Sequence, residues 1–324
     1  MKVKRLAQHL AVCFIGAVLL SAAHAQSNYP SQPIKVVVPF PPSGGTDVLT
    51  RLITNEVTIK DKWVFVVENK PGAGGNIGLD AVAKAKADGL TLGSGQTANL
   101  AINPALYAKM PFDPLKDFTP VVLLASQPVV LVVRAESPIK TMAELKTAAQ
   151  AKQLSMASAG TGTVGHVAGE MFAKLAGIQV MHVPYKGAGP AANDLVGGQT
   201  DIYFATPPTI LPMIKAGKLR AIAVTSAKRI DVLSDVPTVA ESGFPGFVAE
   251  DWKAIVAPAG TPADVVAKVN QAMNKALARP EVAKRLKDEG SLARGGTPAE
   301  LAAFMTTEHA RWGNAVRASG AKVD

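Results

Sequence analysis

Ile34-Lys35-Val36-Val37-Val38-Pro39-Phe40-Pro41-Pro42-Ser43-Gly44-Gly45-Thr46-Asp47 reads as a strand, a proline- and glycine-rich loop, and the start of a helix. The β-branched run cannot continue through three prolines, and Val48, Leu49, Leu52, Ile53 and Val57 then recur on one helical face. The device is repeated. Val64–Val67 leads into Glu68-Asn69-Lys70-Pro71-Gly72-Ala73-Gly74-Gly75-Asn76, and Leu154–Ser158 leads into Ala159-Gly160-Thr161-Gly162-Thr163. The helix after the third loop carries Val164, Val167, Ala168, Met171, Phe172, Leu175 and Ala176 at helical spacing, a core-facing stripe. A helix N-terminus beyond a strand end offers unpaired backbone N–H groups and a positive dipole end, a favourable place for an anion.

Strand and helix patterns alternate from Ile34 to about Thr225, which predicts an α/β fold with mainly parallel sheets. Thr141-Met142-Ala143-Glu144 and Thr297-Pro298-Ala299-Glu300 read as capping boxes, and Thr261-Pro262 places proline at a first helical position. Two breaks, at Ser126-Gln127-Pro128 and from Val236-Pro237 to Phe247, suggest that the chain crosses to a second lobe near residue 126 and returns near 250. The expected division is 26–125 plus 251–324 for one lobe and 126–250 for the other. Two lobes joined by several crossovers make a hinged cleft. After Trp252–Ala257 the pattern predicts helix to the end of the chain.

The first 25 residues read as a signal peptide: basic Lys2, Lys4 and Arg5, an apolar run from Leu10 to Leu20, and the small-x-small site Ala23-His24-Ala25. The run is shorter than the ~20 residues a membrane span needs. Cys13 is the only cysteine, so the mature chain holds no disulfide, thiolate nucleophile or cysteine–metal site. Removing the three basic residues takes the formal charge from +9 to +6. The remaining Lys and Arg are scattered among acids, and aromatics are 5% of the chain, which argues against nucleic acid and against a ring-stacking sugar site.

Enzymatic signatures are thin. Gly160-Thr161-Gly162-Thr163-Val164-Gly165 fits G-x-G-x-x-G, but the next strand ends in Pro184-Tyr185-Lys186-Gly187 without the acidic residue a dinucleotide ribose requires. No Walker, H-E-x-x-H or G-x-S-x-G motif occurs. Of the histidines beyond the signal, His166 is the best candidate to line a cleft, and His182 and His309 read as structural or surface residues. None of the glycine loops contains arginine, which predicts an anion held by neutral donors and helix ends.

These segments, together with His182-Val183-Pro184-Tyr185-Lys186-Gly187, Pro190-Ala191, Asp235-Val236-Pro237-Thr238 and Ala257-Pro258-Ala259-Gly260-Thr261-Pro262, resemble the tripartite tricarboxylate transporter receptors, the Bug-type extracytoplasmic solute receptors. The likeness runs from about residue 30 to the C-terminus. It implies a periplasmic-binding-protein-like Venus flytrap of two α/β lobes, without enzymatic activity or cofactor, acting as a periplasmic monomer. It also implies a small organic anion as ligand (a di- or tricarboxylate, an acidic amino acid or an aromatic carboxylate) and the permease subunits of a tripartite tricarboxylate transporter as partner. Carried across by position, it points to Pro41, Pro42, Ser43, Gly44, Thr46 and Asp47 on the first loop and Ala73, Gly74, Gly75 and Asn76 on the second. The other lobe contributes Ser158, Gly160, Thr161, Thr163 and His166, with Tyr185, Lys186 and Gly187 nearby, and Asp201, Phe204 and Thr206 face the ligand's other end. Ser43 stands where glycine is frequent in the family, and Ser94–Asn99 reads as a variable polar loop. A sensor acting on a membrane kinase, and a nucleotide-dependent enzyme on the Gly160 loop, are the alternative readings.

Overall fold

The computed structural model describes residues 29–321. The proposed signal peptide, its cleavage site and Cys13 lie outside the described residues. From Pro33 onward the described chain forms one compact unit. In chain order it contains β1 (Ile34–Val38), α1 (Gly45–Asp61), β2 (Phe65–Asn69), α2 (Asn76–Ala83), β3 (Thr91–Gln96), a π-helical turn (Ala98–Ile102) running into α3 (Asn103–Leu106), and β4 (Phe118–Pro128). There follow β5 (Val130–Arg134), α4 (Met142–Ala151), β6 (Leu154–Ser158), α5 (Val164–Ala176), β7 (Val180–Pro184), α6 (Ala188–Val196), β8 (Ile202–Ala205), α7 (Pro207–Lys215) and β9 (Leu219–Val224). The chain ends with β10 (Glu250–Pro258), α8 (Ala263–Leu277), α9 (Pro280–Asp288), β11 (Leu292–Gly295) and α10 (Pro298–Ser319).

The strands form two sheets, in the orders β11-β4-β10-β3-β1-β2 and β7-β6-β8-β5-β9. β4 belongs to the first and β5, one residue later, to the second; β9 closes the second and β10 returns to the first. The sheets are mixed rather than mainly parallel. β1 runs parallel to β2 and β3, and β6 parallel to β7 and β8, but β10 is antiparallel to β3 and β4, and β5 is antiparallel to β8 and β9. The return strand arrives from the other sheet, and its direction is set by that path, which no local pattern encodes.

Both capping boxes form. The Thr141 hydroxyl accepts from the Glu144 amide, the Thr297 hydroxyl from the Glu300 amide, and each glutamate reaches back to its threonine's N–H. Pro262 is the N-cap of α8 rather than its first helical residue. The run after Ala257 is interrupted by β11, which adds to the edge of β4. Ser94–Asn99 is not a surface loop: it is the buried end of β3 and the start of the π turn.

Close approach of α5 to β8 needs glycine. A Cβ on Gly165 would stand 2.1 Å from the Phe204 carbonyl oxygen, so the helix rests directly on the strand's backbone. α10 packs against β4 and α5. Its Glu308 accepts from the indole N–H groups of Trp252 at 2.9 Å and Trp312 at 3.0 Å, both buried, while Arg311 pairs with the same carboxylate.

Candidate functional site

A cavity of about 700 Å³ opens at the C-terminal ends of β1, β6, β7 and β8, between the two sheets. Ligands in open α/β sheets bind beyond these strand ends. Three helices begin on its wall without a side-chain cap: α1 at Gly44, α6 at Gly187 and α7 at Thr206. Gly187 has φ +119, a conformation glycine adopts readily, which lets the chain turn sharply from Lys186 into α6. Pro207 fills the first position of α7, where its missing N–H costs nothing. The first-turn amides of α1 and α6 give this wall a positive potential, whereas α7 adds none from its first three positions: Pro207 and Pro208 carry no N–H, and the Thr209 N–H returns to the Thr206 carbonyl at 3.1 Å.

On the first loop, Pro41, Pro42, Ser43, Gly44 and Thr46 line the cavity. Asp47 does not: it is buried, accepts from the Ser43 N–H at 2.9 Å, and pairs with Arg51 and the Asn69 amide, which sets the loop's shape. The Thr46 hydroxyl donates to Gln96 Oε1, fixing a second polar side chain on the wall.

The second loop lies outside the cavity lining. Asn103 of α3 donates to the Gly74 carbonyl at 3.1 Å and to Asn76 Oδ1 at 2.7 Å, so Ala73–Asn76 is tied to the π turn beneath it. Asn103 Oδ1 and Asn99 Nδ2 are buried without a partner, and a Cβ on Gly162 would come within 2.5 Å of that Asn103 oxygen. Asn103 thus joins the second and third loops, a connection the sequence did not announce.

The third loop spends its amides on itself. Gly160 N–H donates to Ser158 Oγ, Thr163 N–H to the Gly160 carbonyl, and Gly162 N–H to His166 Nδ1 at 3.2 Å. This corrects the expectation of open donors at Gly160, Gly162 and Thr163. Thr163 and the neighbouring Ala159 line the cavity, whereas Ser158, Gly160, Thr161 and His166 do not. His166 is 2% exposed and stacks on His182 with ring centroids 3.9 Å apart; Ser158 Oγ lies 2.7 Å from His182 Nε2. Burial, with His182 adding to it, holds the His166 pKa down at about 3, so the ring is neutral and can accept from Gly162.

Lys186, Gly187, Phe204 and Thr206 line the cavity as well. Tyr185 donates instead to Asp194 at 2.8 Å. Asp201 stands at the opposite end of β8 from Thr206, where its carboxylate takes Lys152, the Ser155 N–H and the Ser155 hydroxyl; it is a structural anchor remote from the cleft. Sequence reading missed Lys215, Lys253, Asp251 and Gln127, all on the cavity wall. Lys253 brings a charged side chain to the wall, its Cε within 3.9 Å of a Cβ built on Gly45, but its Nζ is paired with Asp251. The alternation of Asp251 and Lys253 on one strand face was the available signal, and it needed the sheet partner to be read.

The model of the tripartite tricarboxylate transporter family receptor matches residues 49–321. The chain belongs to this receptor family. The receptor is 36% identical over 313 residues to the protein BugT of Bordetella pertussis, a match covering 96% of each chain. It is similar to the solved structure of R. palustris Rpa4515 with adipate (TM-score 0.88, 34% identity, 91% of this chain and 100% of that one). It is likewise similar to MatC from Rhodopseudomonas palustris with bound malate (TM-score 0.84, 36% identity, 89% and 100%). The receptor has the periplasmic-binding-protein fold of two α/β lobes with a cleft between them, and its family consists of periplasmic solute receptors. Among the described residues, no helix is long and apolar enough to cross a membrane.

Proposed function

We propose that this receptor captures a small carboxylate in the cleft and hands it to the permease subunits of a tripartite tricarboxylate-type transporter. The observation that carries the reading is the convergence of two uncapped helix N-termini, those of α1 and α6, with Lys186 and Lys215, on one cavity. The adipate and malate of the two similar structures agree with a carboxylate. Export with loss of residues 1–25 places the protein in the periplasm as a monomer. Residues 26–125 plus 251–324 act as one lobe and 126–250 as the other, closing about the crossings at β4–β5 and β9–β10.

A thermal-shift screen over mono-, di- and tricarboxylates tests the reading. Ligand at a hundred times its Kd stabilises the folded state by about 2.7 kcal/mol, a rise in Tm of about 4 °C for a chain of this size. Gly44→Glu is the matching variant: a Cβ there meets only the Pro41 carbonyl at 3.4 Å and the backbone is extended, so the fold tolerates it while a carboxylate enters the anion site. Gly74→Asp is a poorer choice, because φ is +62 and its Cβ would crowd Asn103 and Tyr107. A folded Gly44→Glu protein that still binds the wild-type ligand at wild-type affinity would refute the site.

A further inference from the structure

The inner wall of the cavity is built by β3, β10 and β4 where the chain passes between the sheets. Register places Lys253 opposite Gln96, and Asp251 opposite Gln127. Asp251 and Lys253 are two residues apart, so all four side chains stand on one face of the sheet. All four line the cavity, and each is at least nine-tenths buried. Lys253 Nζ lies 2.7 Å from Asp251 Oδ2, both side chains withdrawn from solvent. Gln127 Oε1 accepts from the Ser291 hydroxyl at 2.5 Å, which turns its Nε2 away from Ser291. Asp251 Oδ1 and Gln127 Nε2 are left without a hydrogen-bond partner.

A buried acceptor and a buried donor without partners, on adjacent strands and beside an ion pair, describe the group that would complete them. It must donate to Asp251 and accept from Gln127 and Lys253. It must also carry no net charge, because Lys253 and Asp251 already neutralise each other. A second carboxylate would meet the free oxygen of Asp251 where solvent screening is weak. We infer that Asp251, Lys253 and Gln127 form a specificity subsite for an uncharged donor–acceptor head, a carboxamide or a hydroxyl, at the far end of a monocarboxylate. The inference rests on the proposed carboxylate site at the helix N-termini and names what the other end of the ligand is.

Isothermal titration of the purified receptor with the four-, five- and six-carbon dicarboxylates, their monoamides, and the matching ω-hydroxy and unsubstituted monocarboxylates tests it. At the best-fitting length the monoamide or the hydroxy acid should bind at least about tenfold tighter than the diacid and than the unsubstituted acid, since a buried polar site left unpaired rejects analogues strongly. The two heads are told apart by which series binds. Asp251→Asn keeps an oxygen for Lys253 but removes the negative charge, so its preference should move toward the diacid by at least about tenfold. Diacids binding as tightly as their monoamides and hydroxy acids at every length would overturn the inference while leaving the carboxylate site standing, and would mean that Asp251 and Gln127 satisfy each other. An unchanged ratio in Asp251→Asn would also overturn it. Failure of every carboxylate to bind would remove the receptor reading, and the subsite with it.

Discussion

Lowering the pH from about 7.5 to 5 should cost the receptor about 2 kcal/mol of folding stability through His166. The ring is held at about 3 by burial and by His182, against 6.5 for an unperturbed histidine. A depressed histidine contributes stability that is present above the unfolded value and is lost as pH falls from about 6.5 toward about 3. Within that window the unfolded chain binds one more proton, at about 1.4 kcal/mol per pH unit. Glu170, on the same helix, is pushed up by burial and works in the opposite direction. The contribution of His166 is therefore isolated by difference. His166→Asn keeps an oxygen to accept the Gly162 N–H but does not titrate. Urea unfolding of both proteins, followed by tryptophan fluorescence at the two pH values, should show the wild type losing about 2 kcal/mol more than the variant. Equal losses would refute the claim that the ring is folded in as a neutral acceptor.

Gly165→Ala should destabilise the protein by about 3 kcal/mol or more, since the new methyl meets rigid backbone at Phe204. Gly169→Ala meets the Met156 thioether, which can rotate away, and should cost less; denaturant midpoints rank the two. Glu308→Leu strips the acceptor from two buried indoles and the partner from Arg311, and should lower stability by about 3 kcal/mol in the same assay. Glu308→Gln, which keeps one oxygen, should fall between.

The helices and the parallel strands were legible because their signals are local. Thr141 with Glu144, and Thr297 with Glu300, are capping residues at fixed spacing, and the stripe from Val164 to Ala176 repeats at helical period. β11 was not legible: four residues with exposed Leu292 carry no alternation strong enough to stand against the helices on either side. The cavity face of β10 was missed for a different reason. Asp251 and Lys253 look like solvated charges in sequence, and only the strands paired on either side bury them. Asp201 was misplaced by the same gap, since position along a strand does not say which end faces a cleft.

β10 also governs the order in which the molecule can be assembled. Among the described residues it is the only strand linking β3 to β4, so without it the first sheet is two pieces, β3-β1-β2 and β4-β11, and β11 itself follows β10 in the chain. The second sheet, by contrast, uses only residues 130–224. A chain delivered N-terminus first, as through a membrane pore, can complete the middle of its sequence while its beginning still waits for residues 250–258. Refolding should show the same hierarchy, with the long-range pairing of β10 setting the slow step and an early species holding β5 to β9 alone.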